Sequence, residues 1–156
     1  MRAIERILDQ LNRAYGGQAW HGPALRELLE DVTEDEATAH PFAGVHSTIE
    51  IVAHLRATMD MVSTRLAGNP KELTTEEDWS DVTMTSWPAA LEELDHAESR
   101  VCDAVARLTP EDLDKIVVGK DYTTYVMVHG VVQHNLYHGG QIAMLKKACR
   151  SRTPSS

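Results

Sequence analysis

Residues 127–145 read Met127-Val128-His129-Gly130-Val131-Val132-Gln133-His134-Asn135-Leu136-Tyr137-His138-Gly139-Gly140-Gln141-Ile142-Ala143-Met144-Leu145. Stepping through this stretch by three and four residues from Met127 reaches Val131, His134, His138, Ile142 and Leu145. That is the period of an α-helix with one apolar stripe facing a core. The stretch predicts a long last helix from about Thr124 to Cys149, with Lys146, Lys147 and Arg150 near its end, where the helix dipole favours cations.

Working outward, three more long helices are expected. Ile4, Ile7, Leu8 and Leu11 make a first stripe that Gly16-Gly17 stops. Ser47-Thr48-Ile49-Glu50 is a capping box opening the stripe Ile51, His54, Leu55, Thr58, Val62 and Leu66, which Gly68-Asn69-Pro70 ends. Ser86-Trp87-Pro88 opens the third, with Ala90, Leu91, Leu94, Ala97, Val101, Val105 and Leu108 on its buried face and Asp95, His96, Glu98 and Arg100 on a solvated one. Short helical turns are expected after Pro23 and at two further start signals, Thr33-Glu34-Asp35-Glu36 and Thr109-Pro110-Glu111-Asp112; Lys71 to Thr85 reads as a loop or short turns. Ile116-Val117-Val118 is β-branched but too short to carry a sheet. The fold class is all-α: an antiparallel four-helix bundle with one or two extra short helices, forming one domain over 1–150 with a polar tail over 151–156.

Composition agrees with such a bundle. The chain has 156 residues, with 42% hydrophobic content, enough for one domain with a sizeable core. With 15 Lys+Arg against 24 Asp+Glu the net charge is −9, which disfavours nucleic acid and anionic membranes as partners. Cys102 and Cys149 are too few for a disulfide scaffold, the first residues lack a signal-peptide core, and no run is apolar enough to span a membrane. A soluble protein of the cytoplasm is expected.

The 8 histidines are the composition entry that such a bundle does not explain. His134 and His138 are four residues apart, so their rings project within roughly 40° of each other, about 6 Å apart along the axis, toward the core. Imidazoles in a core need hydrogen-bond partners or a metal ion. His54, on the buried stripe of another helix, is the candidate third ligand. Three neutral imidazoles with open positions resemble a catalytic zinc site, and imidazole also suits nickel and iron. Glu50 is either a base near this site or the capping partner of Ser47. Gln141 either contacts a bound ligand or bonds across to another helix, and Tyr137 is expected to pack between helices. His129 falls on another face, His96 on a solvated one, and His21, His40 and His46 lie in connections that either line the mouth of a site or are plain surface.

The run from His129 to Ile142, with Ser47-Thr48-Ile49-Glu50-Ile51-Val52-Ala53-His54 upstream, resembles the DinB/YfiT-like superfamily of metal-dependent proteins. Trp20-His21-Gly22-Pro23-Ala24-Leu25 and Asp78-Trp79 add to the likeness. The resemblance implies a bundle of up-down-down-up type and a divalent metal ion, nickel or zinc, on His54, His134 and His138. It also implies homodimers and transferases or isomerases that use a low-molecular-weight thiol such as bacillithiol, mycothiol or glutathione. A thiol-dependent transferase acting on a small-molecule electrophile is therefore the leading expectation. A metal-dependent hydrolase using Glu50 as base and a non-catalytic metal or ligand-binding bundle are the alternatives.

Overall fold

The computed structural model describes residues 2–151. Four long helices carry the architecture: α1 (Ala3–Gly16), α4 (Thr48–Leu66), α6 (Trp87–Ala106) and α7 (Thr124–Ser151). Between them lie three short helices, α2 (Leu25–Leu29), α3 (Glu34–Thr38) and α5 (Thr75–Asp78), and a 3-10 turn over Pro110–Asp114. The pairing Ile116 with Thr123 is an isolated bridge, as the short β-branched run led one to expect. Helix α7 reaches Ser151; the remainder of the expected tail lies outside the described residues.

Local signals account for the boundaries. Ser47 Oγ accepts from the Glu50 amide while the Glu50 carboxylate accepts from the Ser47 amide at 2.6 Å, closing both ends of a capping box. At the other end of α4, Gly68 takes φ +90°, a left-handed geometry that suits glycine, and its amide reaches the Arg65 carbonyl. Thr74 and Glu77 form a further capping box that starts α5, one short turn inside the stretch read as a loop or short turns. That Thr-x-x-Glu spacing was visible, but no apolar run follows it, so the α5 turn had no buried stripe to reveal it.

The long helices enclose one core in which Leu11, Val52, Leu55, Leu94, Val101, Val105 and Ile142 are fully buried. Each such aliphatic side chain contributes about 1.5–3 kcal/mol by leaving water. α4 packs most extensively on α6 and also on α7, and α1 packs on both α6 and α7. The connections between the long helices are long and carry the short helices, so chain neighbours need not be neighbours in space, and α1 is placed beside α6 and α7. Trp87 anchors the start of α6 by donating its indole N–H to the Val32 carbonyl at 2.8 Å.

Two charged residues are buried, Glu98 against expectation. Glu98 is only 6% exposed, although its neighbours Asp95, His96 and Arg100 led it to be read as solvated. It follows Leu94 by four residues and precedes Val101 by three, so it shares their inward face. Arg65 is buried in the last turn of α4, where its guanidinium donates to the Val118 carbonyl at 3.1 Å and pairs with Glu72. Two basic residues at the end of α7 are paired: Lys146 pairs with Asp31 and donates to the Leu28 carbonyl, and Arg150 pairs with Asp31 at 3.0 Å and Glu36 at 2.8 Å. Lys146 and then Arg150 hold the Asp31 carboxyl down at about 2. These contacts tie α7 to the α2–α3 segment.

Candidate metal centre

The i, i+4 pair on α7 and the inward stripe of α4 meet. His54 and His138 are buried, His134 is partly buried, and one ring nitrogen from each lies within 4.8 Å of the others, so the cluster could hold a metal ion. The three rings stand edge to face, with centroids 4.5–4.8 Å apart. His54 Nε2 and His134 Nε2 are 2.9 Å apart.

Hydrogen bonds around the cluster set which nitrogen is free. His54 Nδ1 faces two acceptors of Asp78, the backbone carbonyl at 3.0 Å and Oδ1 at 2.9 Å. The proton therefore sits on Nδ1, and Nε2 presents a lone pair toward the cluster. Its partner across the gap, His134 Nε2, also has to be reconciled with that lone pair, while His134 Nδ1 is buried with no hydrogen-bond partner. Two ring nitrogens at hydrogen-bond distance need a proton or a cation between them. An unpartnered buried nitrogen beside them fits a site whose polar demand is met by something besides protein. His138 Nδ1 lies 2.6 Å from Gln141 Oε1, which fixes that ring in the same way.

Electrostatics favour neutral imidazoles. Burial, with the neighbouring His138 and His54 rings, pushes His134 down to about 4. Burial likewise lowers His138, against the Gln141 contact acting in the opposite sense. Neutral rings have their lone pairs available at physiological pH.

One face of the cluster is closed by an aromatic stack that sequence spacing did not show. Trp79 lies flat on His54, with centroids 4.2 Å apart and planes 1° apart, and His46 lies on its other side at 3.6 Å. His46 thus belongs to the wall of the site. Asp78 and Trp79 are the residues that reasoning from spacing missed as functional. Their signal was the Asp78-Trp79 pair noted in the family resemblance, with no role attached.

The weaker candidates sort differently. Glu50 serves the capping box and lies 3.4 Å from His40 and 3.7 Å from His46, with no hydrogen bond to His54, His134 or His138 among the described contacts. Burial works to raise its carboxyl, but the Ser47 hydrogen bonds and the two histidines outweigh this and hold it below the usual range. Gln141 bonds to His138 on its own helix, where a contact to a ligand or to another helix had been the expectation. Tyr137, expected between helices, is 66% exposed and stands edge-on to His138 at 5.0 Å. With Phe42, Val45, Met144 and Gln141 it lines an apolar hollow of about 340 Å³. His129 bonds to the Tyr125 carbonyl and His96 is exposed, both away from the cluster. The Cys102 thiol donates to Glu98 at 3.3 Å, and burial foremost pushes it up to about 12.

Comparison with known proteins agrees with this architecture. A crystal structure described as a conserved protein from Enterococcus faecalis superposes with a TM-score of 0.76 at 16% identity, covering 97% of this chain and 99% of that one; the likeness concerns the fold. No curated protein matches in sequence. Residues 19–142 match the sequence model of the DinB superfamily, a span that contains Trp79 and all three clustered histidines. The chain therefore belongs to the DinB superfamily.

Proposed function

We propose that His54, His134 and His138 hold a divalent metal ion, nickel or zinc, and that the protein is a transferase that activates a low-molecular-weight thiol for attack on a small electrophile. The observation that supports this most is the convergence of three imidazole nitrogens within 4.8 Å of one another, with burial lowering His134 and His138 so that both stay neutral. The chemistry such an ion supplies is acidification of a coordinated thiol, so that thiolate is available near neutral pH.

The chain's own residues prepare that site. Asp78 keeps the His54 proton on Nδ1 and turns Nε2 inward. Gln141 fixes the His138 ring. Trp79 and His46 shield one side from water, and the hollow beside Gln141 and Tyr137 offers an apolar seat for an electrophile. A hydrolase needs a general base in reach of the site, and Glu50, capped and held below the usual carboxylate range, is poorly suited to that role. The homodimer implied by the family resemblance belongs to this reading and is checked by sedimentation.

The direct test is steady-state transfer of bacillithiol, mycothiol or glutathione to an aryl or alkyl halide by metal-loaded protein. Turnover that disappears with chelator is expected. Fully metallated protein that turns over none of these thiols would overturn the transferase. Asp78→Ala removes the carboxylate but leaves a backbone carbonyl for His54, so metal affinity measured by chelator competition should weaken roughly 10-fold, the low end of what losing such a partner costs. Unchanged affinity would show that Asp78 does not orient the ring.

A further inference from the structure

The outer face of α7 breaks a pattern that α6 keeps. A helix on a protein surface normally turns charged and polar residues to water, and α6 does so with Glu92, Glu93, Arg100 and Asp103 exposed. Charged residues make up 25% of the chain, yet the 22 residues from Thr124 to Leu145 include no Asp, Glu, Lys or Arg. That suits the inward stripe of α7 but not the outward one. Val126 is 51%, Tyr137 66% and Met144 59% exposed, and Gln133 and Gly140 are exposed between them. Phe42 and Val45, also exposed, extend this surface, since they share a hollow with Tyr137 and Met144. Contiguous exposed apolar surface of this kind marks a contact site.

The spacing on that face says what meets it. Val126, Gly130, Gln133, Tyr137, Gly140 and Met144 follow one another by four, three, four, three and four residues. This is a seven-residue repeat, with which one helix meets another along a shared seam. Turned end for end, the stripe falls on itself: Val126 comes opposite Met144, Gly130 opposite Gly140, and Gln133 opposite Tyr137. Each pair is matched. Val126 and Met144 bury apolar surface, the Gln133 amide and the Tyr137 hydroxyl are hydrogen-bonding partners, and the glycines let the helix axes approach closely. A Cβ at Gly130 or Gly140 would meet nothing within 4 Å, so packing within the chain requires neither glycine. An isologous contact has this property, in which residue i meets j and j meets i. Charge gives an independent reason. Each copy carries −9, so two copies repel over most of their surfaces and meet with least repulsion through a face without carboxylates.

We infer that a second copy of this chain packs antiparallel on the outer face of α7, about a two-fold axis midway between Gln133 and Tyr137. This rests on the homodimer put forward above, which does not say which surface forms it, and supplies that surface. The contact also has a consequence for the site. It covers Tyr137 and Met144, so the helix of the partner subunit closes the hollow that borders Gln141 beside His138. The wall of the substrate seat is then incomplete in a single chain.

The test is sedimentation velocity on the full chain as purified, over a concentration series, with a charge introduced and then answered. Met144→Glu sets a carboxylate against Val126 of the partner subunit, twice per dimer, and should weaken dimerisation about 100-fold or more. Adding Val126→Lys to the same chain sets a cation opposite that carboxylate across the seam and should recover all but about tenfold of the loss. The two positions lie about 27 Å apart along one helix, so the recovery cannot arise within a chain. Gly140→Gln, a better helix former that fills the crossing, is the second variant should Met144→Glu not fold, and should weaken dimerisation about tenfold or more. An unaltered chain that is monomeric throughout the series overturns the dimer and this face together, and leaves the metal centre standing. A dimer that Met144→Glu and Gly140→Gln both leave intact overturns the face alone. Loss without recovery on adding Val126→Lys overturns the antiparallel pairing.

Discussion

His134→Ala, purified beside the unaltered chain, is expected to lose metal affinity by more than roughly 100-fold, beyond the range seen when only a supporting partner of a ligand is removed. His134 supplies one of the three nitrogens that lie within 4.8 Å of one another, and without it two remain. The metal per chain, read by elemental analysis after gel filtration, should fall from near stoichiometric to background. The same comparison has a stability readout. At a free metal concentration about 100 times the dissociation constant, binding stabilises the unaltered chain by about 3 kcal/mol. Adding metal should raise its melting temperature and leave that of His134→Ala unmoved. The variant should fold without metal, because His134 is only partly buried and the core on α7 rests on Val128, Val131, Ile142 and Leu145. Equal metal content in the two proteins would remove the metal centre and the transferase with it.

Glu98→Gln is expected to change how stability depends on pH. Burial pushes the Glu98 carboxyl up to about 7, against a weaker opposing hydrogen bond from Cys102, and one carboxyl oxygen has no hydrogen-bond partner. An acid whose folded pKa lies above its unfolded value binds more protons in the folded state between the two. Stability is therefore lost as pH rises from about 4.5 through about 7. Over that window the loss is about 3 kcal/mol. His134 acts in the opposite sense in metal-free protein: its folded value of about 4 lies below the ordinary 6.5, so stability is lost as pH falls through that interval. The two slopes partly cancel in the unaltered chain. Glu98→Gln removes one of them. Urea denaturation of both metal-free proteins at pH 5 and pH 8 should show the variant gaining about 2–3 kcal/mol relative to the parent between the two conditions. Parallel behaviour at both pH values would mean that Glu98 is not carried as a buried acid.

The legible part of this molecule was local. Helix ends were readable because capping depends on residues three apart, as in Ser47 with Glu50, and on single glycines such as Gly68. The inward aim of His134 and His138 was readable because a helix repeats every 3.6 residues, so faces follow from spacing alone. His54 was readable as the third member of the cluster only through its place on another apolar stripe. Glu98 was misread because its charged neighbours dominated the local pattern, while its position relative to Leu94 and Val101 set its face.

By itself, then, the sequence determined an all-helical bundle, the starts and stops of its long helices, and the three histidines that face inward. These follow from hydrogen bonds and periodicities that span a few residues. Tertiary structure alone decided what surrounds them. Asp78 reaches His54 across 24 residues and His134 meets it across 80. Trp79 slides between His46 and His54. Contacts of that separation depend on how whole helices and long connections pack together, and no local period encodes that packing.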